Sequence, residues 1–261
     1  MSVFPNVVPR ALVGSFWLAL GALGPWLLSG CGAGHEADCL KSNGAVVVQR
    51  RAISRQLRQL RVYDNVDVTI VPDTASYAEV RAGENVIDDI EFSTPAGPSQ
   101  LVIRNTSRCN WARSYNTPRE VRLHLPYLHD VEQRGYGLLT TASQWAQDTL
   151  FVRVLSPGDV NLNVTSTYLY VDSYDAGDLT LSGFAHDFHP NLGSNGFLFA
   201  SALQTDFCYF YTYPSWVGNA YVRTRGNLGG TLNGSGTLYY SGPPAYIDVI
   251  GPNKQRLVRE Q

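Results

Sequence analysis

A short pattern, glycine followed by any residue and then an apolar one, returns six times between Gly137 and Tyr240 and constrains the fold more than any other feature. It reads Gly137-Leu138-Leu139, Gly158-Asp159-Val160, Gly177-Asp178-Leu179, Gly196-Phe197-Leu198, Gly218-Asn219-Ala220 and Gly236-Thr237-Leu238. Successive glycines stand 21, 19, 19, 22 and 18 residues apart. Eight residues before each of the last five comes a second apolar series, Leu150, Leu169, Phe188, Phe210 and Leu228. Two ladders in step at a period near 20 mark structural units that stack. The period is too short for helical hairpins and suits one turn of a β-solenoid or a leucine-rich repeat. The asparagine ladder of leucine-rich repeats is missing and no unit reads as a helix. Strand-turn-strand coils remain, each burying its apolar face only against its neighbours.

The coil geometry assigns directions to the side chains. Neighbouring strands lie roughly 4.8 Å apart, so Gly158 and Gly177 are expected one above the other. Alternate residues of a strand face opposite sides. Val160 and Leu162 are therefore expected in the core with Leu179 and Leu181, and Asp159 and Asp178 on the outer side. Glycine at each corner is expected to supply a positive φ. A solenoid has open edges at both ends. The strands before the ladder are expected to cap one end, and Pro243-Pro244 with the polar tail Asn253 to Gln261 to protect the other.

The start of the chain speaks to its destination. Arg10 precedes an apolar run from Ala11 to Leu28, and Leu28-Ser29-Gly30-Cys31 follows. A basic residue, an apolar stretch and small residues at the exit describe a secretory signal. A membrane-spanning helix is the alternative, weakened by three glycines and Pro25 within the run. Leu28-Ser29-Gly30-Cys31 resembles the lipobox of bacterial lipoproteins. That resemblance implies a signal peptide over 1–30 and acylation of Cys31, with 31–44 as lipidated N-terminus and tether. Several acyl chains hold a protein on a membrane, where a single chain anchors only marginally. Gly32 rather than Asp after the cysteine favours, by analogy, the outer membrane. Cys39 and Cys109 lie outside the ladder and are the candidate disulfide in an oxidising compartment. Cys208 falls inside a repeat, where a small buried hydrophobe is expected. The net charge is −2 with 16% charged residues, which offers nucleic acid no electrostatic attraction.

Strand patterns continue upstream of the ladder. Val66, Val68 and Ile70 alternate with polar residues as in a half-buried strand, and Pro72-Asp73 ends it. Gly83-Glu84-Asn85-Val86-Ile87-Asp88-Asp89-Ile90 reads as a turn with a brief helical segment. Leu101-Val102-Ile103 and Val121-Arg122-Leu123-His124-Leu125 read as strands, separated by an irregular excursion from Asn105 to Pro118 that carries Cys109, Trp111 and Arg113. The order of these features, followed by Leu123-His124-Leu125-Pro126-Tyr127-Leu128, the glycine coils and a closing Gly234-Ser235-Gly236-Thr237-Leu238, resembles the putative auto-transporter adhesin head GIN domain family, a domain of unknown function. The likeness runs over 45–258. It implies an all-β fold, a right-handed single-stranded β-helix on the cell envelope, and an adhesive role. The long excursion and the aromatic middle from Phe184 to Tyr213 depart from the family pattern.

Few constellations carry chemistry. His186-Asp187-Phe188-His189 is the best local metal candidate, but residues three apart do not share a strand face, and a solvated loop is the competing expectation. Asp159 and Asp178, with Asp172 and Asp175 nearby, form an acidic strip that suits a cation, a glycan contact or the acid and base of a polysaccharide-cleaving enzyme. A solvated turn is the plainer reading, as it is for Asp148 and Asp206. Aromatics crowd the second half: Tyr168, Tyr170, Tyr174, Phe197, Phe199, Tyr209, Tyr211, Tyr213, Trp216, Tyr221, Tyr239 and Tyr240. Alternation should expose some of them as a patch fit for sugars or proteins. No phosphate loop, Ser-His-Asp order or cysteine metal motif is present, and no cofactor is expected. The sequence thus predicts a lipid-anchored, non-catalytic envelope module, adhesin-like or structural, whose partners are the membrane and a glycan or envelope protein. A polysaccharide-binding or polysaccharide-cleaving β-helix is the alternative.

Overall fold

The computed structural model describes residues 42–107 and 117–260. The expected anchor at Cys31 and the Cys39–Cys109 pair lie outside the described residues, as do Trp111 and Arg113. In chain order the strands are β1 (Val46–Ala52), β2 (Gln59–Asp64), β3 (Asp67–Pro72), β4 (Tyr77–Gly83), β5 (Ile90–Ser93), β6 (Gln100–Asn105), β7 (Arg119–Leu125) and β8 (Asp130–Gly135). They continue as β9 (Leu139–Thr141), β10 (Trp145–Val154), β11 (Val160–Ser173), β12 (Leu179–Leu192), β13 (Leu198–Thr212), β14 (Asn219–Leu232), β15 (Thr237–Ser241), β16 (Tyr246–Ile250) and β17 (Leu257–Arg259). Together they build a β-solenoid of about 6 turns, with parallel pairs about 20 residues apart. Among the described residues there is no α-helix; 84–89 is a turn, closed by Val86 N–H on the Gly83 carbonyl (2.9 Å).

Strands β11 to β14 each carry most of one coil. Inward and outward residues alternate along each until two outward residues stand together, Thr167-Tyr168 in β11 and His186-Asp187 in β12. This break divides a coil into a first run, such as 160–166, and a second run, such as 168–173. In the first run Val160, Leu179, Leu198, Ala220, Leu238 and Leu257 stack rung upon rung. In the second run the column is Leu150, Leu169, Phe188, Cys208, Leu228 and Ile247. Val160, Leu162, Leu179 and Leu181 are buried as the alternation requires.

One position departs from the sequence pattern. Cys208, not Phe210, occupies the column, and Phe210 stands two residues on, opposite Gly230. The 22-residue unit is accommodated where the β13–β14 register shifts between Ala200 and Gln204 and between Thr205 and Phe207. A fixed count of eight back from Gly218 therefore stops two residues short of the column. Cys208 is fully buried, and loss of solvent pushes its thiol pKa up to about 12, so it packs as a small hydrophobe.

The ladder glycines serve a different purpose from the one expected. None of the six has a positive φ. Each instead lies directly on the backbone of the coil before it. A Cβ at Gly177 would sit 2.4 Å from the Gly158 carbonyl oxygen, and one at Gly196 2.4 Å from that of Gly177. At Gly218 the carbonyl of Gly196 is 2.4 Å away, and at Gly236 that of Gly218 is 2.1 Å away. Any side chain strikes a peptide oxygen that cannot move without parting two coils.

The N-terminal half stacks out of sequence order. β2 lies between β6 and β8, and β3 between β7 and β9. β5 pairs antiparallel with β6, β4 with β7, and β1 with β4, so this end is capped as the sequence suggested. The other end is extended rather than protected. β16 pairs with β14 and β17 with β15, both in parallel, so the tail forms a further rung; Pro243-Pro244 only turns the corner into it.

Gly177→Ala is expected to cost about 3 kcal/mol because the clash is with backbone. Gly97→Ala, where φ is +81° and nothing lies within 4 Å, is expected to cost about 1 kcal/mol. Thermal unfolding followed by circular dichroism orders the two, and equal midpoints would contradict the close-approach account.

Candidate binding surface

Parallel in-register stacking places identical strand positions about 4.8 Å apart, close to the spacing of stacked rings. The second run uses this on its outer side. Phe151, Tyr170, His189 and Tyr209 form one column, with ring centroids 4.7, 4.8 and 5.7 Å apart and interplanar angles of 9, 18 and 30°. His129 tilts against Phe151 at 5.0 Å. Past Tyr209 the position is Gly229, where a Cβ would come within 3.1 Å of the Tyr209 ring, so the ring lies over bare backbone. Around this column Tyr168, Tyr211, Tyr213 and Tyr174 are exposed. Phe207 lies beside Tyr209, its ring parallel at 6.4 Å, and Tyr213 meets Tyr211 and Tyr174 edge-on at 4.9 and 5.5 Å.

The neighbouring outward column is polar and anchors the surface at its lower end. Arg61, Glu132, Arg153 and Asp172 alternate in charge from rung to rung. The Glu132 carboxylate takes Arg61 Nε at 3.0 Å, Arg134 Nε at 2.8 Å and Arg153 Nη1 at 3.0 Å. Arg153 also reaches Asp130 at 3.1 Å. Burial alone would lower the Arg153 pKa, but Asp130, Glu132 and Asp172 outweigh it and raise it. Asp172 Oδ1 accepts from Asn191 Nδ2 at 2.9 Å and from the Tyr174 hydroxyl at 3.1 Å. Burial, Tyr213 and the Asp172 charge together hold the Tyr174 phenol protonated.

These contacts separate the residues that the sequence grouped. Asp172 belongs to the second run and is engaged there, while Asp175 Oδ1 accepts its neighbour's amide, Ala176 N–H, at 2.7 Å. Asp159 and Asp178 do stack, and each caps the coil above it. Asp159 Oδ1 accepts the Asp178 amide at 2.9 Å and Asp178 Oδ1 the Phe197 amide at 2.8 Å. Asp67 does the same for Leu138 at 2.8 Å. The carboxylates thus satisfy corner amides that have no strand partner.

His186 and His189 lie in β12 rather than in a loop, and they face different surroundings. His189 is part of the ring column. His186 stands at the break between runs, in a column with Asp148, Thr167, Asp206 and Arg225. Asp148 and Asp206 accordingly belong to strands β10 and β13, not to turns. His186 Nδ1 lies 2.7 Å from Asp206 Oδ2, and Arg225 Nε pairs with the other oxygen of that carboxylate. Hydrogen bonding from Arg225, then from His186, lowers the Asp206 pKa against the opposing effect of burial. Among the described residues no group of three or more His, Cys, Asp or Glu side chains is placed to hold a metal ion.

The aromatic patch was legible in outline, its order was not. Of the twelve aromatics singled out, Tyr168, Tyr174, Phe197, Phe199, Tyr209, Tyr211 and Tyr213 are exposed. Trp216 is buried, with the Gly234-Ser235-Gly236 segment passing over it; a Cβ at Gly236 would lie 2.9 Å from its ring. Phe151 and His189 fall outside the patch as the sequence groups it, His189 being grouped with His186 as a metal candidate, although Phe151, Tyr170 and His189 stand 19 residues apart. A smaller stack, Phe199, Tyr221 and Tyr239 at 5.6 and 4.9 Å, lies on the outer side of the first run.

About 6 coils with parallel pairs about 20 residues apart and ring columns on their outer side define the class of β-solenoid proteins. The family model described as "Putative auto-transporter adhesin, head GIN domain" matches residues 56–244, and the chain belongs to that family. A putative adhesin from Bacteroides fragilis has a similar solved structure, with a TM-score of 0.70 at 15% identity, over 82% of this chain and 96% of that one. Two Parabacteroides distasonis structures are also similar over 84% of this chain and 98% of theirs. One is called a putative adhesin (18% identity, TM-score 0.58), the other a putative lipid binding protein (15%, 0.60). At these identities the likeness is one of fold. No curated protein matches the chain. The family description suggests a location in the cell envelope or at its surface. Among the described residues no helix is long and apolar enough to cross a membrane.

Two outcomes follow. Asp178→Ala strands the Phe197 amide and is expected to cost about 1 kcal/mol, whereas Asp178→Asn keeps an acceptor and most of the stability; equal unfolding midpoints for the two variants would remove the capping role. Burial lowers the His189 pKa, against Asp187 which raises it. The unfolded chain then binds the proton more readily, so stability is full above the ordinary pKa of about 6.5 and falls as pH drops below it toward the folded value. His189→Phe should flatten the thermal midpoint between about pH 7 and pH 5; an unchanged slope would assign the dependence elsewhere.

Proposed function

We propose that this chain is a non-catalytic, adhesin-like binding module of the bacterial cell envelope, held at the outer membrane by acyl chains on Cys31. Its contact surface is the outer side of the second run around Tyr168, Phe207, Tyr209, Tyr211 and Tyr213. The observation that carries this reading is the rigid presentation of exposed rings by a stacked backbone. Tyrosines of this kind give large contact area at little cost in side-chain freedom. The columns from β11 upward that bear them hold carboxylates, amides and hydroxyls but no lysine or arginine, which suits a neutral glycan or envelope protein better than a polyanion. The lipobox-like Leu28-Ser29-Gly30-Cys31 supports the anchor, and the adhesin family supports the absence of turnover. Asp159 and Asp178 already accept backbone amides, which favours structure over catalysis for the acidic strip.

Purified chain is to be screened against immobilised glycans and envelope extracts, with Tyr209→Ser/Tyr211→Ser as the paired variant. Binding by the natural chain should weakly depend on salt and fall by about tenfold to a hundredfold in the variant. Equal retention of both would remove the aromatic surface from the reading. Release of glycan fragments that stops in Asp159→Asn/Asp178→Asn would replace it with an enzyme. Labelled palmitate should enter the natural chain and not Cys31→Ser; label in both, or in neither, would overturn the anchor.

A further inference from the structure

The two ends of the solenoid are finished differently. At the N-terminal end β4 and β5 pair antiparallel beside β7 and β6, β1 lies outside β4, and Ala78, Val80 and Ala82 of β4 and Ile90 of β5 are still buried. At the other end the core columns run out into solvent. Leu228 is 0% exposed, yet the next member of its column, Ile247, is 41% exposed. On the same rung Tyr246 is 60%, Ile250 59% and Val258 39% exposed. Among the described residues β16 pairs only with β14, and β17 only with β15. Each therefore has one side of its hydrogen-bonding edge free, and an apolar edge of this kind recruits another strand.

The free groups can be named. In the second run the outward residues donate toward the preceding coil, as Phe151 N–H does to the His129 carbonyl at 2.8 Å and Tyr213 N–H to that of Leu192 at 2.8 Å. Strand alternation then turns the N–H and C=O of Ile247 and Val249 away from β14. We propose that this edge receives a second copy of the same chain, β16 against β16 in antiparallel register about a two-fold axis. Residues directly opposite in an antiparallel pair face the same side, so the two cores continue into one another when inward residues meet inward residues. An axis at Asp248 would set two carboxylates opposite each other. An axis at Ile247 or Val249 sets Asp248 opposite Tyr246 or Ile250 and makes a hydrogen-bonded pair at the centre.

Three observations favour a copy over another occupant. The edge is self-complementary in the registers just given. The rung carries both signs of charge, Asp248 and Glu260 with Lys254, Arg256 and Arg259, so a surface meeting its own image finds opposite partners. The far end finishes instead on β1, a largely exposed antiparallel strand that carries Gln49, Arg50 and Arg51, so its edge does not match the apolar β16, which disfavours head-to-tail stacking and favours closure at two. The pair would present two aromatic surfaces from one rigid body.

The full chain, extracted and purified in detergent, is to be examined by sedimentation velocity over a range of concentrations, with micelle mass subtracted. Val249→Pro removes one free N–H on the edge without removing a bond to β14, and proline is tolerated on edge strands. Ile247→Lys places a charge at the joint and serves should the proline variant lose its β-sheet circular dichroism. A dimer that dissociates about tenfold or more readily in either folded variant supports the proposal. A monomer at every concentration, an assembly larger than two, a dimer unaffected by both variants, or co-purification of a different protein bound at β16 would overturn it.

Discussion

The close approach of glycine to the peptide oxygen one coil below is the constraint on which the rest of this solenoid depends. With about 2.4 Å between a would-be Cβ and the oxygen beneath it at Gly177, Gly196 and Gly218, the coils meet at the corner without a side chain between them. That contact fixes the height of each rung where the chain turns, and so fixes the register of the strands that leave the corner. Registered strands then bring like positions together. Leucine and valine form continuous core columns, and outward rings fall at stacking distance. The Asp159 and Asp178 caps belong to the same corner, since the turn leaves one amide per coil without a strand partner and a short carboxylate reaches it.

This hierarchy explains what could be read from the amino acids. Glycine and apolar spacing sufficed for the solenoid, the inward assignment of Val160, Leu162, Leu179 and Leu181, and the burial of Cys208. It failed where the unit length changed. In the 22-residue unit the register slips within β13, and Phe210 is carried past the column that Cys208 fills. It also failed where two residues in a row face outward, because period-two alternation contains no sign of the break. His186, Asp206 and Asp148 sit at that break and therefore looked like loop and turn residues. The out-of-order stacking of β2 and β3 was beyond reach for a simpler reason: the partners of Leu60, Leu101 and Val131, are 41 and 71 residues away and share no repeated motif with it.

The candidate surface joins these two levels. Phe151, Tyr170 and His189 are spaced like the core columns, one rung apart, but on the outward parity. The same stacking that organises the interior organises the exterior, and it spends most ring faces on one another. What remains for a partner are ring edges, phenol hydroxyls and the exposed rings toward Tyr211 and Tyr213. The charged column of Arg61, Glu132, Arg153 and Asp172 fastens the lower part of this surface, where Glu132 serves three arginines. An array so supported is held in one shape, which suits the proposed binding role to recognition of a fixed pattern rather than adaptation to many.

The placement of β2 and β3 bears on how the chain finds its fold. From β10 onward each coil closes against the segment made just before it, at separations near 19 residues, so those coils can zip together as they emerge. β2 cannot be completed until β6 and β8 have both arrived, one on either side. Loop closure over longer separations is slower and rewarded later. The strands made first are therefore those that wait longest for their partners, and β2 and β3 stay partly uncovered until the chain has been made as far as β8 and β9.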